Sequence, residues 1–119
     1  MSKKIMTSIK LQKKLHHKML QRIISDGYGM RGKSRWIIEA VESFLSISDY
    51  PELVDIADDM DQLTEMASVR MPEDTVIKIE QAIIQVRKYY PAMEGVKSNL
   101  IRASIMQRLI RESASVAEV

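Results

Sequence analysis

Two short segments of this chain carry side chains that could bind the edges of nucleic-acid bases. Residues 7–12 and residues 67–72 both alternate apolar and polar side chains. In an extended chain this alternation places the apolar side chains on one face and the polar ones on the other. Hydroxyl, amide and cationic groups on a short two-stranded ribbon suit the edges of base pairs in a DNA major groove. The polar faces carry Ser8, Lys10 and Gln12 in the first segment, and Ser68 and Arg70 in the second.

A glycine-rich segment offers a competing chemistry. Residues 27–34 satisfy the pattern G-x-x-x-x-G-K-[ST] of nucleotide-hydrolase phosphate loops, and their glycines also satisfy G-x-G-x-x-G. Both motifs require a strand immediately before the glycines, whereas the preceding residues have a helical period. The chain is also short for the parallel sheet that surrounds such a site. We therefore do not expect nucleotide hydrolysis.

No other spacing predicts catalysis or a bound cofactor. The adjacent His16 and His17 point in different directions on a helix, which disfavours a metal site. No residues are spaced as a nucleophile with its base, or as paired catalytic carboxylates. We expect a protein that is not an enzyme and that needs neither metal nor cofactor.

The composition is that of a globular protein of 119 residues with no cysteine. The absence of cysteine excludes disulfides and thiolate chemistry and favours a reducing cytoplasm. Few aromatic residues and three prolines favour a mainly helical fold. No apolar run approaches the roughly 20 residues of a membrane span, so we expect no membrane partner.

The net charge of +2 conceals a strong segregation along the chain. Residues 1–44 carry ten Lys and Arg against three Asp and Glu, a net of +7. Residues 45–66 carry seven carboxylates and no cation, a net of −7, and residues 67–119 return to +2. This distribution fits a molecule with one face toward a polyanion and an acidic segment turned away from it.

Helical periodicity follows the first polar segment. One amphipathic helix is predicted to end at residues 26–29, because glycine readily closes a helix. A second is predicted to begin at Lys33 and Ser34, where the Ser34 hydroxyl can cap free amides. The predicted inward residues are Leu15, Met19, Leu20, Ile23 and Ile24 in the first helix, and Trp36, Ile37, Ala40, Val41, Phe44 and Leu45 in the second.

The acidic middle and the second half continue this pattern. A connecting helix is predicted to begin within residues 49–52, because proline and acids favour a first turn. After the second polar segment, a helix is predicted from Glu73 to Pro91, and a last helix after residues 95–98. The predicted inward residues are Leu53, Ile56, Ala57, Met60 and Leu63 in the connector, Val76, Ile79, Ile83, Val86 and Tyr90 in the next helix, and Ile101, Ile105 and Leu109 in the last.

The order of strand, helix and helix therefore occurs twice. The copies are offset by 60 residues at the strand (Ile9 and Val69) and by 64 at the last helix (Ser34 and Ser98). This difference predicts a four-residue insertion near Tyr90 in the second copy. Neither copy is long enough to bury an adequate core, and a lone strand leaves both edges unpaired. We therefore expect two units that share one core (5–45 and 67–111), an acidic and helical connector (46–66) and a flexible tail (112–119).

This arrangement resembles the ribbon-helix-helix family of DNA-binding proteins, the class of the Arc, MetJ and CopG repressors. The resemblance covers about residues 7–45 and 67–111. Finding strand, helix, glycine loop and a helix opened by Lys-Ser twice in one order is more specific than either motif alone. The matching residues are Ser8-Ile9-Lys10-Leu11 with Gly32-Lys33-Ser34-Arg35-Trp36-Ile37, and Ser68-Val69-Arg70-Met71-Pro72 with Val96-Lys97-Ser98-Asn99-Leu100-Ile101.

The resemblance implies a fold and a set of contact residues. The fold is mainly α with one short two-stranded antiparallel β-ribbon, formed within one chain as a tandem ribbon-helix-helix pseudo-dimer. Base contacts are implied for the outward-facing Ser8, Lys10, Gln12, Ser68 and Arg70, of which Lys10 and Arg70 suit guanine O6 and N7. Contacts to backbone phosphates are implied for the first turns of the second helices, through Lys33, Ser34, Lys97, Ser98 and Asn99.

The resemblance also implies partners and a function. We expect sequence-specific binding of double-stranded DNA, with two or more chains on adjacent sub-sites and a possible protein partner at the acidic connector. A transcriptional repressor is the preferred interpretation. The alternatives are an accessory protein at a plasmid transfer origin, an antitoxin-like interaction module, and a purely helical interaction protein.

The two copies differ at positions that are expected to contact DNA. Gln12 corresponds to Pro72, Lys10 to Arg70, and Arg35 to Asn99. A ribbon with unlike strands should prefer an asymmetric sub-site over a palindrome.

Overall fold

One two-stranded antiparallel ribbon and five α-helices make up the part of the chain that the structure describes. The computed structural model describes residues 3–58 and 62–117, apart from the side chains of residues 30 and 112–117. A 3₁₀ turn, Met30–Gly32, precedes the second helix. The expectation of a mainly helical fold with one short ribbon is confirmed. In chain order the elements are β1 (Lys4–Leu11), α1 (Lys13–Ser25), α2 (Lys33–Leu45), α3 (Tyr50–Ala57), β2 (Glu65–Pro72), α4 (Glu73–Tyr89) and α5 (Val96–Ala117).

The ribbon pairs β1 with β2 along their whole lengths. Lys4 lies opposite Pro72, Ser8 opposite Ser68, and Leu11 opposite Glu65. Most side chains on the inner face are apolar and buried against the helices, as the alternating pattern requires, while Thr7 on that face is a buried polar residue. The strands are longer than the predicted segments at their N-terminal ends, and β1 stops before Gln12. The buried apolar residues of the inner face are Ile9, Leu11, Ala67, Val69 and Met71.

The stripe of α1 is narrower than the sequence pattern predicts. Leu15, Met19 and Ile23 are buried, and they follow the i, i+4, i+8 line that faces the core. The prediction that Leu20 and Ile24 also point inward is wrong, since Ile24 is 67% exposed and Leu20 is also exposed. These two positions lie one residue, or about 100° around the helix, beyond that line.

The core centres on α2 and α5, which pack against each other. As predicted, Trp36 and Ile37 of α2 are fully buried, and so are Ile101 and Ile105 of α5. Arg108 of α5 donates a hydrogen bond to the Trp36 carbonyl oxygen at 2.8 Å. Its guanidinium also lies 4.5 Å from the centroid of the Trp36 ring. This largely buried contact between a cation and an aromatic ring ties the middle of α5 to the beginning of α2.

The connector forms the predicted helix only as far as Ala57, so the predicted inward residue Leu63 lies beyond it and outside any helix. Pro51 lies in the first turn of α3, and Glu52 complements the helix dipole there. The helix packs against α4 and α5 through Val54 and Ala57. The prediction that Ile56 points inward is wrong, because this side chain is 60% exposed. The predicted inward position Met60 lies outside the described residues.

The order strand, helix, helix occurs again in the second half, with a longer first helix. α4 has 17 residues against 13 in α1, and it ends at Tyr89, before Pro91. Gly95 adopts a φ of +63° immediately before α5 begins at Val96. The backbone of α5 remains helical as far as Ala117, through most of the predicted tail, and residues 118–119 lie outside the described residues. Leu109 of α5, Val76 and Ile83 of α4, and Tyr90 just after α4 are only partly buried.

The predicted stop of α1 at the glycine-rich segment is confirmed. Gly27 has a φ of +81°, which L-residues with a Cβ rarely adopt. The Tyr28 N–H donates to the Ile23 carbonyl at 3.1 Å, and the Gly27 N–H donates to the Ile24 carbonyl at 3.0 Å. These two bonds form a Schellman motif, which satisfies the last carbonyl groups of α1 and turns the chain toward α2.

Replacing Gly27 with alanine should lower the free energy of unfolding by about 1–2 kcal/mol. No atom lies within 4 Å of a Cβ added there, so the penalty would come from the left-handed backbone alone. Urea unfolding followed by circular dichroism measures this effect. Gly27→Asn should cost less, because asparagine tolerates this conformation better. Equal stability of wild type and Gly27→Ala would contradict the assignment.

Candidate nucleic-acid interface

The outer face of the ribbon presents three rows of paired side chains. The register places Lys10 opposite Met66, Ser8 opposite Ser68, and Met6 opposite Arg70. All six side chains are exposed. The Ser8 and Ser68 hydroxyl oxygens lie 3.3 Å apart at the centre. The structure therefore brings four of the five predicted base-contacting residues together on one surface: Ser8, Lys10, Ser68 and Arg70.

Two exposed methionines on this face were not predicted as site residues. Met6 is 54% exposed and Met66 is 60% exposed, although both side chains are apolar. The predicted segments began at Thr7 and Ala67, one residue too late to include them. Their signal in the sequence is the same alternation, which continues through Met6 in one strand and Met66 in the other. An apolar side chain on a polar face suits contact with the methyl group of thymine.

The three rows are nearly related by the internal repeat. Positions 60 residues apart in the sequence carry the same residue at Met6 and Met66 and at Ser8 and Ser68. Lys10 corresponds to Arg70. An antiparallel pair centred on Ser8 and Ser68 puts these equivalents at diagonal positions. Each outer row therefore contains one methionine and one cation, and the two cations are the only residues that differ.

The ends of the ribbon are less alike. Gln12 lies outside β1, where it is half-buried as the residue before α1. Its counterpart Pro72 closes β2 and lies opposite Lys4. The predicted difference between the copies is thus located mainly at the ends of the face, while its centre is nearly symmetric.

The first turn of α2 is fixed beside the ribbon. The backbone N–H of Arg70 donates a hydrogen bond to the Ser34 hydroxyl oxygen at 3.1 Å. The predicted capping role of Ser34 is wrong, because Gly32 occupies the N-cap position and no side chain caps this helix. The hydroxyl instead satisfies a strand amide. This bond holds the helix start next to Arg70, with Lys33 half-buried and the cations Arg31 and Arg35 exposed.

The first turn of α5 has different surroundings. Lys97 is exposed and Ser98 is half-buried. Asn99, a predicted phosphate-contacting residue, is only 2% exposed. Its side-chain amide donates to Asp58 Oδ1 at 2.7 Å and to the Glu94 carbonyl oxygen at 3.3 Å. Because both amide protons are engaged inside the fold, Asn99 does not belong to the outer surface.

Arg102 ties α5 to the other strand. Its guanidinium donates to the Lys10 carbonyl oxygen at 2.9 Å and also bonds the Asn99 side-chain oxygen. Burial lowers the pKa of Arg102, and the neighbouring Asp58 carboxylate opposes that shift. A helix side chain thus bonds the backbone of each of these strand residues. Arg102 of α5 bonds Lys10, and Ser34 of α2 bonds Arg70.

Charge distinguishes the two helix starts. The start of α2 carries Arg31, Lys33 and Arg35, although Arg35 also pairs with Glu39 at 3.6 Å. The start of α5 carries Lys97, and the carboxylate of Asp58 reaches it through Asn99. An anion placed at α2 therefore meets a more positive local field than one placed at α5.

The glycine-rich segment lacks the context of a nucleotide-binding loop. The residues before it form α1 rather than a strand. The side chain of Tyr28 is held by a hydrogen bond from Arg108 at 3.1 Å, and a Cβ on Gly32 would approach the Tyr28 Cβ to 2.6 Å. The glycine at position 32 thus permits the close packing of Tyr28 against the start of α2.

The described residues offer little support for other kinds of site. No group of three His, Cys, Asp or Glu side chains among them is arranged to hold a metal ion. His16 faces Glu65, with its Nδ1 3.5 Å from the carboxylate. No helix within the described ranges has the length and apolar character needed to cross a membrane.

Removal of the Ser34 hydroxyl should loosen the contact between α2 and β2. In Ser34→Ala the amide of Arg70 loses its acceptor, so its hydrogen exchange should become faster and the free energy of unfolding should fall by about 0.5–1.5 kcal/mol. Exchange measured by NMR at Arg70 tests this directly. Ser34→Thr retains the hydroxyl and is the matched control. Unchanged exchange at Arg70 in Ser34→Ala would refute the proposed role of the bond.

No family model, no curated protein and no solved structure matches this sequence. The outer face of the ribbon, the two helix starts beside it and their charges are therefore the observations from which a function can be inferred.

Proposed function

We propose that this chain binds double-stranded DNA in a sequence-specific manner by inserting its ribbon into the major groove, and that it acts as a transcriptional repressor. In this proposal the chain is a tandem ribbon-helix-helix protein that forms a pseudo-dimer by itself. The observation that carries the proposal is the outer face, where exposed hydroxyl and cationic side chains stand in rows on a paired ribbon.

The ribbon has the width that insertion into a major groove requires, and its strand edges are partly covered. Paired strands lie about 5 Å apart, and a major groove about 12 Å wide admits two of them. Arg70 and Lys10 have backbone groups that bond to helix residues, so the edge of each strand is partly covered. Covered edges discourage pairing with other strands, which leaves side chains as the groups that can recognise a partner.

The rows suggest how bases would be read. Arg70 and Lys10 can donate to guanine O6 and N7, and the central Ser8 and Ser68 can bond several base edges. The exposed methionines beside the cations suit thymine methyl groups. We expect a sub-site whose centre is nearly palindromic and whose flanks are asymmetric, because the ends of the face differ.

Phosphate contacts would fix the ribbon in register. The first turn of α2, with Lys33 and Ser34, lies next to the ribbon and has no side-chain cap. Backbone amides, a helix dipole and nearby cations together favour a phosphate there. Lys97 and Ser98 provide a second, weaker position, because Asp58 lies close to that helix start. Asn99 has no part in the proposed interface.

Repression follows from occupancy of the groove. A protein that inserts a ribbon into promoter DNA and clamps the flanking phosphates excludes other proteins from the same bases. The charge segregation supports this orientation, since the cationic first 44 residues supply β1 and the start of α2.

Arg70→Ala should weaken binding to the preferred duplex by about 1–3 kcal/mol and relax the preference at one base pair. The reason is the loss of a bidentate donor to guanine. Arg70→Lys should recover charge but only part of the base preference. Selection of duplexes from a random pool, followed by affinity measurement, reads both effects.

Arg87→Ala is the control for lost charge, because Arg87 is an exposed cation on α4 away from the ribbon face. Its affinity and base preference should match those of the wild type. Unchanged affinity and base preference in Arg70→Ala would show that Arg70 does not read a base.

Lys33→Ala should weaken binding to all duplexes and lower the salt slope by about one unit. Lys97→Ala should have a smaller effect on both quantities, because Asp58 already offsets positive charge at that helix start. Asp58→Asn keeps an oxygen for Asn99 but removes the charge, so it should strengthen binding. Titrations at several salt concentrations measure these differences, and equal slopes for Lys33→Ala and Lys97→Ala would contradict the charge difference between the helix starts.

A further inference from the structure

Two different kinds of side chain hold the two strands of the ribbon against the helices. On β2, the backbone N–H of Arg70 donates to the hydroxyl of Ser34, which is a neutral side chain. On β1, the carbonyl oxygen of Lys10 accepts a hydrogen bond from the guanidinium of Arg102 at 2.9 Å. The residue of α2 that corresponds to Arg102, at the 64-residue offset, is Ile38. Because isoleucine cannot donate a hydrogen bond, α2 does not hold β2 in this way.

Arg102 is a cation inside the fold. It is 6% exposed, and its Nε has no hydrogen-bond partner among the described residues. A buried charge is costly unless an opposite charge and hydrogen bonds compensate for it. Burial lowers the pKa of Arg102 and the carboxylate of Asp58 raises it. The connector therefore supplies a carboxylate that stabilises the buried guanidinium.

A chain of hydrogen bonds connects that carboxylate to the ribbon. The side-chain amide of Asn99 donates to Asp58 Oδ1 at 2.7 Å, and the Asn99 side-chain oxygen accepts a bond from Arg102. Arg102 in turn donates to the Lys10 carbonyl oxygen. The backbone of Asp58 is fixed as well, because its N–H donates to the Val54 carbonyl oxygen at the end of α3. The end of the connector helix is thus linked to a strand residue whose side chain is exposed on the outer face.

The link acts near one end of the ribbon. Lys10 is the second-last residue of β1, and the pairing with β2 ends one residue later, at Leu11 and Glu65. The ends of paired elements open more readily than their centres. A lysine side chain is also long and flexible, so the place that its ammonium group reaches depends on where the backbone holds its Cα atom. Displacement of this part of β1 would therefore move the Lys10 side chain on the outer face.

We propose that Arg102 and Asp58 are positioning residues for Lys10, and that the connector thereby sets the base preference on one side of the sub-site. This inference rests on the proposed function, in which Lys10 contacts a base. The row that contains Lys10 depends on the connector, whereas the row that contains Arg70 is supported by Ser34. The acidic connector thus contributes to recognition without contacting DNA itself.

The carbonyl carbon of Lys10 reports this positioning in the absence of DNA, because its NMR chemical shift depends on the hydrogen bond that the oxygen accepts. The signal should move in Arg102→Met, whose side chain has a similar length but no donor. It should move in the same direction, but less, in Asp58→Asn, because a guanidinium without its opposing charge spends less time at the carbonyl. Arg111→Met and Glu52→Gln are the matched controls, since they alter an exposed cation of α5 and an exposed carboxylate of α3. Both controls should leave the signal in place.

Base preference measures the consequence for recognition. The base pair that Lys10 contacts is the one at which Lys10→Ala relaxes the preference, and Arg70→Ala identifies its counterpart. Arg102→Met and Asp58→Asn should lower the preference several-fold at the first base pair and leave it unchanged at the second. In Asp58→Asn this loss should accompany the stronger overall binding that follows from removal of a carboxylate.

A double variant separates positioning from a general loss of structure. In a Lys10→Ala background, Arg102→Met should have no further effect on base preference, because the side chain that Arg102 positions is absent. Replacement of a buried charge by an apolar side chain of similar size is often neutral or stabilising, so the urea midpoint of Arg102→Met should not fall.

Three results would overturn the proposal: a further loss of preference in the double variant, an unmoved Lys10 signal in Arg102→Met or Asp58→Asn, or an equal loss of preference at both base pairs. Failure of the proposed function is distinguishable from these results. A wild type that binds no duplex would overturn the proposed function, while the Lys10 signal of the free protein would still decide whether Arg102 and Asp58 position the strand.

Discussion

Antiparallel pairing of β1 with β2 is the constraint on which the rest of the molecule depends. The two strands come from opposite halves of the chain, and neither has another strand to pair with among the described residues. Pairing requires the helices of both halves to close over one apolar face, which is why the chain has one shared core. The same pairing creates the outer face, because burial of Ile9 and Val69 leaves Ser8 and Ser68 exposed on the other side.

The contacts that support the ribbon also organise the surface around it. Ser34 and Arg102 each bond a backbone group of a strand residue whose side chain points outward. These bonds fix the N-terminal parts of α2 and α5 relative to Arg70 and Lys10. Each helix has one carboxylate near its beginning, since Trp36 of α2 donates to Asp26 and Asn99 of α5 donates to Asp58. The beginning of α2 carries more cations, namely Arg31, Lys33 and Arg35.

Local patterns determined much of the fold. Alternation identified both strands, glycine at position 27 and proline at 91 marked helix ends, and the stripe on α2 identified Trp36 and Ile37 as core residues. The predictions for Ser34 and Asn99 failed for one cause, which is that their side-chain partners come from distant parts of the chain. Ser34 was predicted to cap its own helix but bonds a strand 36 residues away. Asn99 was predicted at a surface but is buried beneath a connector that periodicity alone does not place.

The candidate site residues, too, were predicted where a local pattern is sufficient and missed where distant parts of the chain decide. The polarity of the outer strand face could be predicted from two-residue periodicity, because each strand has only one neighbour and one buried side. Alternation alone could have placed Met6 and Met66 on this face, but only the register shows that each stands beside a cation of the other strand.

The central claim is that the outer face of the ribbon lies in a major groove, and chemical protection of bound DNA tests it most directly. Duplexes enriched from a random pool by the full chain can be treated with dimethyl sulfate, which methylates guanine N7 in the major groove and adenine N3 in the minor groove. We expect protection of guanine N7 at the centre of the bound sequence, with adenine N3 there unprotected. Failure to enrich any sequence, or protection of adenine N3 alone, would contradict it.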